Sequence, residues 1–371
     1  MGFMDSLLGM GKKKNTKSFF VNSYGNEQTR GIYTFKIDVD SGELIFRKYF
    51  KTPTDPSYSF NYGRFVCTTY KNRTGSPSDG GICSYTSTAE TLALVSRISD
   101  GGKTYVHACT NGDDEVADKV FAVDYYNGQV MVGAIEKKKL KRVLSTFTIE
   151  GSSVHPTRQT IPHPSYVGFT PDEKLYVVDL GIDKVLLFDV SDEGELIIDE
   201  KSSLSLPAGS GPRKMIFSKN GKFAYVLNEL TNTIMVYAYE NSTFTLVQTI
   251  DTYDKVAYPD EESLAGQFVF SEDEKFAFVS NRGHDSVSSF SVNNETGELT
   301  YRDFVDTSFN PIDLYIVNNR WIVIACQKGG NVEVAEYLPE KDGLLYETKY
   351  SYLVSEPICI TGFVDIMERK Q

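Results

Sequence analysis

One unit is written again and again along this chain: an apolar run, a polar turn, a second apolar run, then a single polar residue. It reads YVGFTPDEKLYVVDLG from Tyr166, GPRKMIFSKNGKFAYVLNE from Gly211 to Glu229, and FVFSEDEKFAFVSNR from Phe268. A fourth copy with a shorter turn, DLYIVNNRWIVIACQ, starts at Asp313. Phe169, Phe217 and Phe270 hold matching places, 48 and 53 residues apart. Such a period is the mark of a repeat architecture, in which each unit buries its apolar faces only against its neighbours.

The runs are too short to be separate helices, and Asn220-Gly221 is a hairpin signal. A third run follows each pair, in VLLFDV, IMVYAY, SVSSFSV and VEVAEYL. Then comes a turn such as Glu193-Gly194-Glu195-Leu196 or Thr296-Gly297-Glu298-Leu299, and a fourth short strand. Four strands in roughly 45–50 residues make one blade of a β-propeller. Upstream, residues 19–46 read as a blade lacking one strand, and residues 55–98 and 103–149 supply two more. The expected fold is therefore all-β: a single seven-bladed β-propeller over residues 18–371, with four-stranded antiparallel blades. The run PICITGFVDI from Pro357 completes the first blade, closing the ring by pairing the N- and C-terminal segments. A sandwich of stacked hairpins is the rival, but it has no need of one unit recurring throughout.

Residues 1–17, MGFMDSLLGMGKKKNTK, are expected to be a flexible leader. Their basic cluster follows the apolar part instead of preceding it, unlike a secretory signal. The opening Met-Gly-x-x-x-Ser also fits an N-myristoylation pattern. No run approaches the ~20 apolar residues of a membrane span. With 38 basic against 50 acidic residues, the net charge of −12 argues against nucleic acid as a partner. The five cysteines form no CxxC pair, which suits reduced thiols in a cytoplasmic protein better than a disulfide framework or a zinc site.

In a propeller the first strand of each blade lines the central channel. The slot after the second run holds Gly181, Glu229, Arg282 and Gln327, and the one before the first run holds Ser165, Arg213 and Gly266. Glu229 can take a proton from water, while Arg213 and Arg282 can hold a carboxylate or phosphate and stabilise an oxyanion. The plainer alternative is an Arg213–Glu229 ion pair that ties two strands together.

These residues resemble the seven-bladed lactonase family, which includes propeller-type 6-phosphogluconolactonases and fungal carboxymuconate-lactonizing enzymes. The likeness runs through GIYTFKIDVDSGEL (31–44), DPSY (55–58), PHPSYVGFTPDEKLYVVDLGIDKVLLFDV (162–190), GPRKMIFSKNGKFAYVLNEL (211–230) and FSEDEKFAFVSNRGHDSVSSF (270–290). The resemblance implies an active site of His, Arg, Glu and Arg at one end of the channel, with Arg213, Glu229 and Arg282 in matching places. Three elements depart from the family pattern. HPHS becomes His163-Pro164-Ser165-Tyr166, GPRH ends in Lys214, and PRGF becomes Pro311-Ile312-Asp313-Leu314.

The implied reaction is hydrolysis of a sugar lactone, 6-phosphogluconolactone to 6-phosphogluconate, with no cofactor and no metal. Glu229 or His163 is expected to activate water, and Arg213 and Arg282 to stabilise the oxyanion. Lys214, Ser165, Gln327, Asn228 and Asn281 are expected to contact a small anionic, sugar-derived lactone. A carboxymuconate-type cycloisomerase and a non-catalytic propeller that binds a protein or ligand are the alternatives.

Overall fold

The computed structural model describes residues 15–363 apart from 53, 72–79, 113–114 and 260–261. Among them the chain forms 29 strands and one short 3-10 turn at Pro339–Lys341, and no α-helix. The strands assemble into seven antiparallel sheets arranged in sequence order. Six blades start with their innermost strand: Asp55–Tyr62, Tyr105–Thr110, Pro164–Phe169, Pro212–Phe217, Leu264–Phe270 and Pro311–Val317. These are blades 2 to 7. The outer edge of blade 4 is split into two pieces, Leu196–Ile198 and Leu204–Ser205, both paired to Lys184–Val190.

Blade 1 is built from both ends of the chain. Its innermost strand is Pro357–Phe363, which pairs with Thr16–Ser23 from Ser18↔Phe363 to Ser23↔Pro357. The expected ring closure is thus present, and its first strand begins at Thr16, inside the stretch read as a leader. Residues 1–14 of that leader, and the last three residues of PICITGFVDI, lie outside the described residues.

Burial follows from each sheet lying between two others. The second strands Leu175–Asp179, Phe223–Asn228 and Trp321–Cys326 are buried at every position, as strands covered on both faces must be. The fourth strands, such as Thr243–Asp251, alternate with solvent instead. Each of the seven seams carries its own apolar cluster. The seam between blades 1 and 2 has the smallest, Phe20, Ile32, Val66 and Phe363. There hydrogen bonds supplement packing: Asn22 Nδ2 donates to Ser59 Oγ at 3.0 Å, and Thr34 Oγ1 to the Ala89 carbonyl at 2.7 Å.

The Gly-Glu-Leu turns also serve the seams. Gly297 in blade 6 has φ +78°, and a Cβ there would come within 2.4 Å of the Phe223 ring in blade 5. Gly42 in blade 1 stands in the same way over Trp321 in blade 7. A residue free to take positive φ and lacking a side chain is needed at both. Gly297→Ala is accordingly expected to cost about 1–3 kcal/mol through strain and overpacking, measured by chemical denaturation.

Candidate active site

The innermost strands share a defect that builds the site. In each of them the pairing register slips near the strand start, adding residues that have no cross-strand partner. A bulge of this kind re-aims side chains that a regular strand would send to the two sheet faces. Here both faces are occupied by neighbouring blades, so the extra residues turn toward the axis. They are Ser57, Val106, Ser165, Arg213, Gly266, Ile312 and Ile358, one per blade, and all line a central cavity of about 320 Å³. The residues immediately after them form a second ring in the same wall: Tyr58, His107, Tyr166, Lys214, Gln267, Asp313 and Cys359.

Four charged side chains from different elements meet at this cavity. Glu229 follows the second strand of blade 5 and is 1% exposed. Its Oε2 lies 2.7 Å from Arg213 Nη1, from the bulge of the same blade, and 2.8 Å from Arg282 Nη2, from the second strand of blade 6. Its Oε1 lies 2.5 Å from Arg158 Nη2. Arg213 Nε also donates to the Gly266 carbonyl at 2.6 Å, and Arg282 Nη2 to the Ala265 carbonyl at 3.1 Å. Both guanidiniums are therefore fixed from two sides. The Nε of Arg282 is buried and has no hydrogen-bond partner among the described residues.

Arg158 was not foreseen from the sequence, because it belongs to no repeat. It stands in the connection between blades 3 and 4, residues 149–163. Gln159 pins that segment by donating to the Leu180 carbonyl at 2.8 Å and to Asp183 Oδ1 at 2.7 Å, and His155 Nδ1 accepts from the Arg158 amide at 3.2 Å. Gly181, the blade 4 counterpart of Glu229, makes room for it. A Cβ there would sit 2.0 Å from the Ile161 carbonyl oxygen. The length of this connection was the one available signal, since long loops over a channel mouth often carry function.

Three guanidiniums around one carboxylate leave the cluster with an excess of about two positive charges. Burial opposes ionisation of Glu229, but Arg282, Arg213 and Arg158 outweigh it and hold its carboxyl well below the usual carboxylate range. A carboxylate so stabilised is a poor proton acceptor at neutral pH. The ion pairs of Glu229 with three arginines thus weigh against the expectation that it activates water.

His163, the other expected base, does not line the cavity. Its ring stacks on Tyr125 with centroids 4.4 Å apart, and Tyr125 is the wall residue. Its Nδ1 lies 2.9 Å from the Tyr125 carbonyl, so that nitrogen carries the proton. The backbone N–H of His163 donates to Asp179 Oδ1, which leaves the residue just outside the strand that begins at Pro164.

Of the expected substrate contacts, Lys214 and Ser165 line the cavity, although the Ser165 hydroxyl donates to the Arg213 carbonyl at 2.8 Å. Asn228, Asn281 and Gln327 do not. Asn228 and Asn281 are fully buried, one bonded to Thr233 Oγ1 and the other to Ser288 Oγ. Each precedes an inward residue and so points to the opposite side of its strand. Gln327 instead accepts from Asn310 Nδ2 at 3.1 Å within its own loop pair.

His107 is an additional wall residue. It is sandwiched between Tyr58 and Tyr166, with centroids 4.2 and 3.8 Å away. Burial, with Lys214 nearby, holds it neutral. Its Nδ1 accepts from the Val167 amide at 3.3 Å, so the ring proton resides on Nε2, which has no partner among the described residues.

The family model described as "Lactonase, 7-bladed beta-propeller" matches residues 18–362. Among curated relatives, a 6-phosphogluconolactonase of Bacillus subtilis (strain 168) is 28% identical over 354 residues, spanning 92% of this chain and 97% of its own. A solved structure of a candidate 6-phosphogluconolactonase from Bacteroides fragilis superposes with TM-score 0.85 at 25% identity, over 96% of this chain and 100% of that one. The periplasmic gluconolactonase of Pseudomonas aeruginosa gives TM-score 0.86 at 26% identity, over 95% of this chain and 100% of that one.

Proposed function

Because the chain belongs to the seven-bladed β-propeller lactonases, we propose that its central cavity hydrolyses a sugar lactone, with 6-phosphogluconolactone as substrate. The observation that carries this reading is the convergence of Arg158, Arg213 and Arg282 on Glu229 at the cavity wall. A fixed, positively charged patch in a cavity of about 320 Å³ suits a small anionic sugar derivative. Guanidiniums recognise phosphate or carboxylate by paired N–H donors, and a preset donor also stabilises charge that develops on a carbonyl oxygen.

Water adds to the lactone carbonyl, whose π electrons move onto the oxygen; that oxyanion collapses and expels the ring oxygen. The guanidiniums of Arg213 and Arg282, both in the cavity wall, are the donors that would meet the oxyanion. Glu229 holds the guanidiniums in place through both steps. A phosphorylated substrate and five unpaired cysteines fit a cytoplasmic protein.

Arg282→Ala is expected to lower kcat/KM about 10²–10³-fold on freshly generated 6-phosphogluconolactone, with acid release corrected for the spontaneous rate. Arg282→Lys keeps the charge but not the planar fork and is expected to recover only part of the loss. Rates equal to wild type in both variants would contradict the reading.

A further inference from the structure

We infer that Lys214 is the proton acceptor for the attacking water, held at the cavity wall by Gln267 and Asp313 as positioning residues. This role rests on the lactonase reading above.

Arg213 and Lys214 are consecutive residues of one bulged strand, and both face the cavity. The anion-binding and proton-accepting functions thus have separate side chains in the wall of one cavity. Lys214 makes no ion pair among the described residues. Its Nζ donates to Gln267 Oε1 at 2.6 Å and stands 5.5 Å from the centre of the Tyr166 ring. Gln267 Nε2 in turn donates to Asp313 Oδ1. Asp313 is anchored by the Leu314 amide at 3.0 Å and the Ile360 amide at 2.6 Å. Three adjacent blades, with the closing strand behind them, therefore fix one amine of a residue in the cavity wall.

The other candidates in the wall are already committed. Glu229 is tied to three arginines. Asp313 accepts three N–H donors. His107 has its lone pair occupied by the Val167 amide and can only donate from Nε2.

The charged and titratable groups facing Lys214 are Asp313, Arg213, Cys359, His107, Tyr166 and Tyr58. Burial and Arg213 lower its pKa, Asp313 and Cys359 raise it, and the balance brings it to about 8. A neutral amine is then available at physiological pH.

In the first step the lone pair of Nζ takes a proton from water as the water oxygen bonds to the carbonyl carbon, and the carbonyl π pair becomes the oxyanion. In the second the oxyanion re-forms the carbonyl, the acyl–ring oxygen bond breaks, and the departing oxygen takes the proton back from the ammonium. The hydroxy acid released then loses its own proton to solvent.

The test is the pH profile of kcat/KM for 6-phosphogluconolactone, corrected for spontaneous hydrolysis, in wild type, Lys214→Met, Lys214→Arg and Gln267→Glu. With Lys214 as acceptor, the wild-type rate climbs with pH and levels off above about 8. Both Lys214 variants lose about 10²–10⁴-fold and this limb with it. Gln267→Glu puts a carboxylate against the amine and moves the limb to higher pH. If Lys214 only held the substrate's anionic group, the signs would reverse: the rate would fall as pH rises through 8 and Lys214→Arg would stay active. That outcome, or an unchanged limb in Lys214→Met, overturns the inference and leaves the lactonase reading standing. No acceleration by wild type overturns both.

Discussion

Glu229→Gln is expected to destabilise the protein by about 3–5 kcal/mol and to lower kcat/KM about 10²–10³-fold. Gln preserves the shape of the side chain but removes the negative charge that Arg158, Arg213 and Arg282 share. At 1% exposure, water cannot replace it. The three guanidiniums are left to repel one another, and at least one must move out of position. The pH dependence distinguishes this account from a catalytic base. The folded-state pKa of Glu229 is depressed, so its stabilisation is present above the unfolded value of about 4.3 and is lost as pH falls toward the folded one. The gap in urea midpoint between wild type and Glu229→Gln should hold from neutral pH to about pH 5 and narrow below that. A residue acting only as a base would lose rate with no such gap.

Trp321→Ala should be comparably costly, about 3–5 kcal/mol, though it lies far from any chemistry. Trp321 opens the second strand of blade 7 and is 3% exposed. Its Nε1–H donates to the Val39 carbonyl of blade 1 at 2.8 Å, and its ring lies beneath Gly42 in the turn of the same blade. It thus closes the seam between the last and first blades, within the cluster that includes Phe19, Phe35 and Val323. Truncation leaves a cavity at that seam and an unpaired carbonyl. Trp321→Phe retains most of the apolar area and should cost far less. Leu246→Ala, at an outer strand position that is 52% exposed, should change stability by no more than about 0.5 kcal/mol. Calorimetric melting of the three variants checks the order.

The architecture was legible because every blade meets the same physical demand. Two covered faces require continuous apolar runs, and hairpins require turn residues at fixed offsets, so the pattern recurs wherever a blade does. The residues that meet at the site were legible in part. Arg213, Glu229 and Arg282 stand at repeat-equivalent slots and do converge. Arg158 could not be found that way, because it enters on a connection that no other blade shares. Its arrival adds a third guanidinium that helps hold the Glu229 carboxylate ionised. The wall ring that includes His107, Gln267 and Asp313 was hidden for another reason. It depends on a slip of register in each innermost strand, and an alternating pattern carries no mark of such a slip. Asn228 and Asn281 misled through adjacency: one residue along a strand reverses the side chain's direction.

The most direct measurement is acid release from fresh 6-phosphogluconolactone in the presence of the wild-type protein, run beside Glu229→Gln and beside the same lactone without its phosphate. Saturable acceleration over the spontaneous rate is expected, strongly reduced in the variant and weaker for the uncharged lactone. A rate no faster than spontaneous hydrolysis, or one that Glu229→Gln leaves intact, would contradict the assignment of the arginine cluster as a lactone-hydrolysing site.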